Sequence, residues 1–599
     1  MPKKEKKPPK KQKHERPNNI KGTLKRLIQY LKPEMHWVVA IFLCVTTTTF
    51  LILFSTRMIG VIIDTCIVDF DAEGLLKWSV VLLVAYGVSS LTTWLQNYAI
   101  LVLAQNVVVD IRADVVEKFQ NLPLSYFDKT PFGELMSRIT NDVESISTAV
   151  ESSLTTVFQS ILTLSTTFIM MLFLSIEMTF ASLCTVPLVL VIMKYIAEPA
   201  KNIFMKRQEK LGELNGYIDE TITGQRVVKT FSREKIVIEE FNELNDNLLA
   251  SGIKAELFSG MVGPMMVGIS NLSYIIVVTV GAIMMSIPHT GMTIGLISNF
   301  VIYSRQFTRP ISDIAGQVNT MMAAFASAER VFDILDETEE MEDQKEAVEL
   351  TEIQGKVEFV NVDFSYDKKV PVLKNINLSV KEGQTVAFVG ATGAGKTTMI
   401  NLLSRFYDVD NGSILIDGRG IEMIQRKSMR SQLAIVLQDT YLFTDTILEN
   451  IRYGRLDATK EEIISAAKLS NAHEFIMKLS GGYDFILEEN GGNLSQGQRQ
   501  MISVARAILA NPSILILDEA TSNVDTRTEK KIQEGMKNLM VGRTNFVIAH
   551  RLGTIREADM IVVIDHGEIV EKGTHEALVS QDGFYAKLHR QGIGLGGIS

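Results

Sequence analysis

Cysteine is scarce, with only three in 599 residues. Cys44, Cys66 and Cys184 stand far apart, two of them within apolar runs. That spacing builds neither a disulfide framework nor a zinc site. An excess of positive charge is also missing. The net charge is −9 and no domain is basic, which argues against a nucleic-acid partner. The first 36 residues have no apolar stretch of the kind a cleavable signal peptide needs. They carry KKEKKPPKKQKHER instead, too polar and proline-rich to fold. Residues 1–24 are therefore expected to be a basic, disordered tail, solvated or resting against anionic lipid headgroups.

A different scarcity organises the next 300 residues. Several stretches lack Asp, Glu, Lys and Arg for about the 20 residues that a membrane-crossing helix requires. They are Val38–Thr56, continued by Met58–Ile63; Trp78–Val109; Ser152–Ile176; Met178–Met193; and Leu257–Ser304, which holds two spans broken at IPHTG (287–291). The pattern predicts six transmembrane helices over 25–325. Trp78–Val109 is longer than one span needs, so its helix should protrude into water. The candidate outer loops hold only Arg57 and Lys77 as basic residues, beside Asp64, Asp69, Asp71 and Glu73. The positive-inside rule then places both termini and the long loops 110–151 and 194–256 in the cytoplasm. Segment 326–354 is acidic and reads as a linker. Residues 355–592 have the mixed composition of a soluble domain, with 593–599 as a tail.

The soluble half carries phosphate chemistry. TVAFVGATGAGKTTMINLL (385–403) is an apolar strand, a glycine-rich loop and a helix, and it fits G-x-x-x-x-G-K-[ST]. Gly390, Thr392, Gly393, Ala394 and Gly395 let backbone N–H groups wrap phosphate oxygens, and the following helix adds its dipole. Lys396 is expected to reach the β- and γ-phosphates, Thr397 to hold Mg²⁺ and Thr398 to line the same site. ILILDEATSNVD (514–525) delivers Asp518 and Glu519 at the end of a buried strand. Asp518 suits the metal, and Glu519 suits polarising an attacking water.

With these residues in place the chain resembles an ABC transporter of the exporter half-transporter type, over about residues 25–592. The resemblance implies a polytopic, all-α membrane domain fused to an α/β P-loop NTPase domain, with ATP and Mg²⁺ as cofactors. It implies that Tyr366 in VDFSYD stacks on adenine, and that Gln438 in IVLQD reaches Mg²⁺ and the water. It further implies that His550 in VIAHR contacts the γ-phosphate and that Asp525 is the D-loop aspartate, although Asn523 and Val524 depart from the usual Ala-Leu. LSQGQ (494–498) is the signature loop; in this family Ser495, Gly497 and Gln498 cap the ATP held by a second subunit. Residues 125–143 and 220–234 resemble the two regions that couple nucleotide domains to membrane helices.

Gln496 stands where that loop usually has glycine. A complete catalytic set (Glu519, His550, Gln438) beside an altered signature resembles one subunit of a heterodimeric bacterial multidrug exporter, so the expected partner is a non-identical half-transporter. If position 496 needs φ > 0, its side chain also adds strain of order 1 kcal/mol. The expected activity is ATP-driven export of hydrophobic or amphiphilic compounds across the cytoplasmic membrane. The alternatives are a homodimeric lipid flippase and an ATP-gated membrane regulator that does not pump. Met261, Met265, Met266, Met284, Met285 and Met292 offer adaptable apolar surface along the fifth and sixth spans. The spans carry few charges apart from Arg305 and Arg309, which argues against a proton relay or a charged cargo.

Overall fold

The computed structural model describes residues 19–591, apart from 185, 289, 351, 438–439, 520–524 and 550–551. The chain divides into two compact units. One comprises residues up to Asn121 together with Pro131–Thr338; the other comprises Leu122–Thr130 and the chain from Glu339 onward.

The first unit is helical. Six of its described helices have 20 residues or more: Met35–Ile62, Ala72–Asn121, Thr155–Leu174, Val186–Thr223, Glu234–Met285 and Ile294–Asp336. Among the described residues, Met35–Ile67, Phe132–Leu174 and Val267–Met285 are long and apolar enough to cross a membrane. Helix Ala72–Asn121 has 50 residues, or roughly 75 Å at 1.5 Å per residue, far more than a bilayer spans. In its second half Ile100, Leu103, Ala104, Val107, Val108, Ile111 and Val115 are buried at three- and four-residue spacing, a stripe that faces neighbouring helices. Met35–Ile62 packs against both Ala72–Asn121 and Ile294–Asp336.

Helix Ile294–Asp336 occupies the first third of the segment read from composition as a linker. Ala328, Val331 and Phe332 are buried at helical spacing, and that periodicity outweighs the acidic residues between them. Asp142, at the end of a π-helical turn (Arg138–Asp142), is buried against the same helix. It accepts hydrogen bonds from Ser327 Oγ at 3.0 Å, from Arg330 Nε at 2.9 Å and from Arg330 Nη2.

The second unit holds two sheets. Strands β1 (Val357–Phe364), β2 (Leu373–Val380), β4 (Asn411–Ile416) and β5 (Arg419–Gly420) form an antiparallel sheet in the order β2-β1-β4-β5. The larger sheet runs β10-β9-β3-β8-β7-β6. Its members are β3 (Thr385–Val389), β6 (Leu433–Val436), β7 (Ile514–Glu519), β8 (Thr544–Ala549), β9 (Met560–Asp565) and β10 (Glu568–Gly573). All neighbours are parallel except β9–β10. Alternation along the strands separates two cores. Leu515, Leu517 and Val547 face helix Gln496–Ala510, whereas Ile514, Ile516, Phe546 and Ile548 face the antiparallel sheet and helix Lys396–Leu403.

Candidate functional site

The C-terminal ends of β3, β7 and β8 lie on one edge of the parallel sheet, where ligands of open α/β sheets bind. The register is tight: Phe388, Ile548 and Asp518 form one row across the three strands. Gly390 opens its loop two residues beyond that row, so the loop and Asp518 share an edge. Period-two alternation puts Asp518 on the side of Ile514 and Ile516, the face that carries helix Lys396–Leu403.

The loop's own chemistry is specific. A Cβ on Gly390 would collide with the Ile564 carbonyl. Gly395 caps the helix at φ 111°, a conformation that only glycine adopts without strain. Thr392 and Gly393 are exposed and Ala394 is buried. Lys396 is buried, and its Nζ donates to the carbonyls of Gly390 at 2.8 Å and Ala391 at 3.0 Å. Burial pulls its pKa below the ordinary lysine value, and the nearby Asp518 carboxylate opposes that shift. Thr397 is exposed on the same turn. A cation there would find Thr397 and Asp518 as two hard oxygen ligands, which suits Mg²⁺ shared with phosphates. The residues present fit MgATP.

Tyr366 sits beside this loop, 38% exposed, and shares a 3.1 Å hydrogen bond with the buried Thr398 hydroxyl. Its ring is edge-on to Phe364 and Tyr407. Tyr407 in turn donates to Asp128 of segment Leu122–Thr130. Burial, reinforced by that carboxylate, holds the Tyr407 hydroxyl protonated well above the usual phenol range.

The signature loop opens helix Gln496–Ala510 with a capping box. Ser495 Oγ accepts from the Gln498 N–H at 3.3 Å, and Gln498 Oε1 accepts from the Ser495 N–H at 2.9 Å. Gln498 thus stabilises its own helix terminus, while the Ser495 hydroxyl proton and the N–H groups of Gln496 and Gly497 are left for an anion. Gly497 itself is buried. Gln496 is the first helical residue and does not have a positive φ, so the strain expected if that position were left-handed does not arise. Asp525 likewise caps a helix, accepting from the N–H groups of Arg527 and Thr528 at 3.2 and 3.0 Å. Those bonds lower its pKa.

Gln438 and His550 lie outside the described residues, as does the Glu519 side chain; the Glu519 backbone ends β7 opposite Ala549 of β8.

A second charged cluster in this unit does not show in the sequence pattern. Glu340 pairs with Arg430 at 2.7 Å, and Asp343 accepts from the Arg426 N–H at 2.9 Å and from Arg405 Nη1 at 3.4 Å. The acidic stretch EEMED and the basic run RKSMR are both visible as strings, but nothing local pairs them across some 85 residues.

Residues 38–311 match the family described as ABC transporter transmembrane region, and residues 373–522 match the one described as ABC transporter. The chain is 44% identical over 571 residues to an "uncharacterized ABC transporter ATP-binding protein" of Bacillus subtilis, covering 95% of this chain and 94% of that one. It is 43% identical over 509 residues to a "fatty acid ABC transporter ATP-binding/permease protein" of Mycobacterium tuberculosis, covering 85% and 80%. It is 37% identical over 574 residues to an "ATP-dependent lipid A-core flippase" of Syntrophus aciditrophicus, covering 96% and 95%.

Proposed function

The chain belongs to the ABC transporter family, with its membrane and nucleotide domains on one polypeptide, and we propose that it is one subunit of a two-subunit exporter of amphiphilic compounds. It is an ATP-hydrolysing transporter with a membrane-embedded domain. One observation carries the site assignment: the strand register that sets Asp518 beside the glycine-rich loop, with Lys396 buried between them.

Bound MgATP supplies the phosphoanhydride bond whose cleavage powers the cycle. Lys396 exchanges its two carbonyl acceptors for phosphate oxygens, and the N–H groups of 390–397 surround those oxygens. Thr397, Asp518 and Gln438 would hold the cation, which would offset the phosphate charge. Glu519 orients water and accepts its proton, and His550 steadies the γ-phosphate. Tyr366 offers its exposed ring to adenine. Ser495, Gly497 and Gln498 present their helix terminus to the nucleotide of the other subunit, alongside Asp525.

The second subunit is a non-identical half-transporter. Gln496 motivates this reading, because it is a bulky first residue of the helix whose terminus would cap the partner's nucleotide. Apolar residues Ile222, Val227 and Phe231 are exposed around the short helix Gln225–Thr230, a surface suited to a protein partner. Likeness to a fatty acid transporter and a lipid flippase supports lipidic cargo, with drugs and hydrophobic peptides in the same chemical range. The nucleotide domain and both termini face the cytoplasm, as the distribution of basic residues indicates.

The direct test is Glu519→Gln. ATP binding should persist while steady-state hydrolysis falls about 10²-fold or more, the usual loss on removing a general base. Hydrolysis above about a tenth of wild type would overturn the role of Glu519.

A further inference from the structure

In the first unit, helices Met35–Ile62 and Ile294–Asp336 run antiparallel and are joined by a ladder of polar contacts. At one end Asp64, just past the first helix, accepts from Thr293 Oγ1 at 2.6 Å and from the Gly295 N–H at 2.8 Å. Further along, Tyr303 donates to the Leu53 carbonyl at 3.2 Å and Gln306 Nε2 donates to Thr56 Oγ1 at 3.1 Å. Between these rungs Asn299 faces Gly60, and a Cβ on Gly60 would collide with the Asn299 amide. Asn299 is fully buried, and among the described residues neither its Oδ1 nor its Nδ2 has a hydrogen-bond partner. Buried hydroxyls in such helices can satisfy themselves on the preceding turn, as Thr56 does with Ile52 O. An asparagine amide cannot satisfy both of its ends that way. An unpaired amide in an apolar interior is costly, so its retention calls for a ligand or a cost borne for function.

Asn299 lies five residues into its helix, roughly 7 Å from the start. Phe300 and Tyr303 of the same helix belong to a buried apolar cluster with Met171, Met178, Val277 and Met292. Of the methionines along the fifth and sixth spans, Met292 belongs to this cluster and Met284 packs against it, whereas Met261 and Met285 are exposed. Such a cluster repacks readily around an alkyl chain.

We propose that Asn299, packed against Gly60, recognises the head of a long-chain amphiphile, and that this head is uncharged and carries a donor and an acceptor side by side, as in a carboxamide or a protonated carboxylic acid. The amide Nδ2 donates to the head's carbonyl, and Oδ1 accepts from its N–H or O–H. The alkyl chain packs against the methionine cluster. The proposal rests on the export reading and names its cargo class.

The test reconstitutes the full chain, in the assembly it forms, into phosphatidylcholine vesicles. ATP turnover is titrated with three probes that share one oleyl chain: oleamide, methyl oleate and oleyltrimethylammonium. The half-maximal concentration for oleamide should lie roughly tenfold or more below that for methyl oleate, which lacks the donor. Asn299→Leu should erase that preference, and Asn299→Gln should retain part of it. Gly60→Ala, which displaces the amide without removing it, should weaken the preference and serves as the second variant if Asn299→Leu does not assemble. Equal responses to oleamide and methyl oleate in the wild type, or a preference untouched in Asn299→Leu, overturn the inference alone. Absence of stimulation by every probe overturns the export reading and the inference with it.

Discussion

At position 496 the backbone decides what the side chain can mean. Gln496 is helical, so replacing it with glycine relieves no strain. Gln496→Gly should leave the unfolding midpoint unchanged or slightly lower, since glycine in a helix costs up to about 1 kcal/mol. A rise of several degrees would reinstate the strain argument. In the presence of the partner subunit, total turnover should change little while nucleotide residence at the partner-side site shifts; single-turnover hydrolysis with counting of trapped nucleotide reads both. The local pattern S-x-x-Q at 495–498 spells a capping box in the sequence itself. The same residues also suit a phosphate, and the string alone does not say that Gln498 spends its side chain on the helix terminus.

At the scale of elements, the apolar run ending in Asp518–Glu519 was legible as a buried strand, because four hydrophobic residues between loop signals have few other readings. The tail of helix Ile294–Asp336 was harder: its charges suggested a linker, while its buried stripe required knowing which helices lay against it. Asp142 shows the same limit, since its partners lie some 185 residues away. Asp142→Ala removes the acceptor for Ser327 and Arg330 and should destabilise the first unit by about 2–4 kcal/mol, the range for breaking a buried charged network. An unfolding midpoint in detergent equal to wild type would refute this. A second element responds to pH. His575 is tied to the following helix by a 2.7 Å bond between its Nδ1 and Tyr585 OH. Burial, then His589 and Arg556, push its pKa below 6.5. Between that lowered value and 6.5 the unfolded chain takes up a proton that the folded chain refuses. Stability of helices His575–Ser580 and Phe584–Gln591 is therefore present above 6.5 and lost as pH falls through the folded value. Amide protection in these helices, measured relative to the intrinsic exchange rate at each pH, should fall as pH drops below about 6.5 in wild type, and His575→Gln should flatten the trend.

For the whole molecule, the membrane half and the nucleotide half were each readable, because charge-free runs and a glycine-rich loop after a strand are strong local signals. Which copy completes the site was not, since half of each capping surface would lie on another polypeptide. Expressed without a non-identical partner, this chain should fail to assemble or should hydrolyse ATP slowly, as every site would then face Gln496. A purified homodimer with robust, cargo-stimulated turnover would overturn that reading.

Segment Leu122–Thr130 folds with the second unit, although the whole of Pro131–Thr338 separates it from Glu339, where the rest of that unit begins. During synthesis the early piece leaves the ribosome first. At roughly 5–20 residues per second, Asp128 waits about 10 s or more before the chain that supplies Tyr407 even begins to appear. The nucleotide domain therefore cannot finish its fold as an independent late product. Its earliest piece lies, in chain order, between segments of the other unit, so a chain that misplaces that stretch also withholds a piece of its own engine.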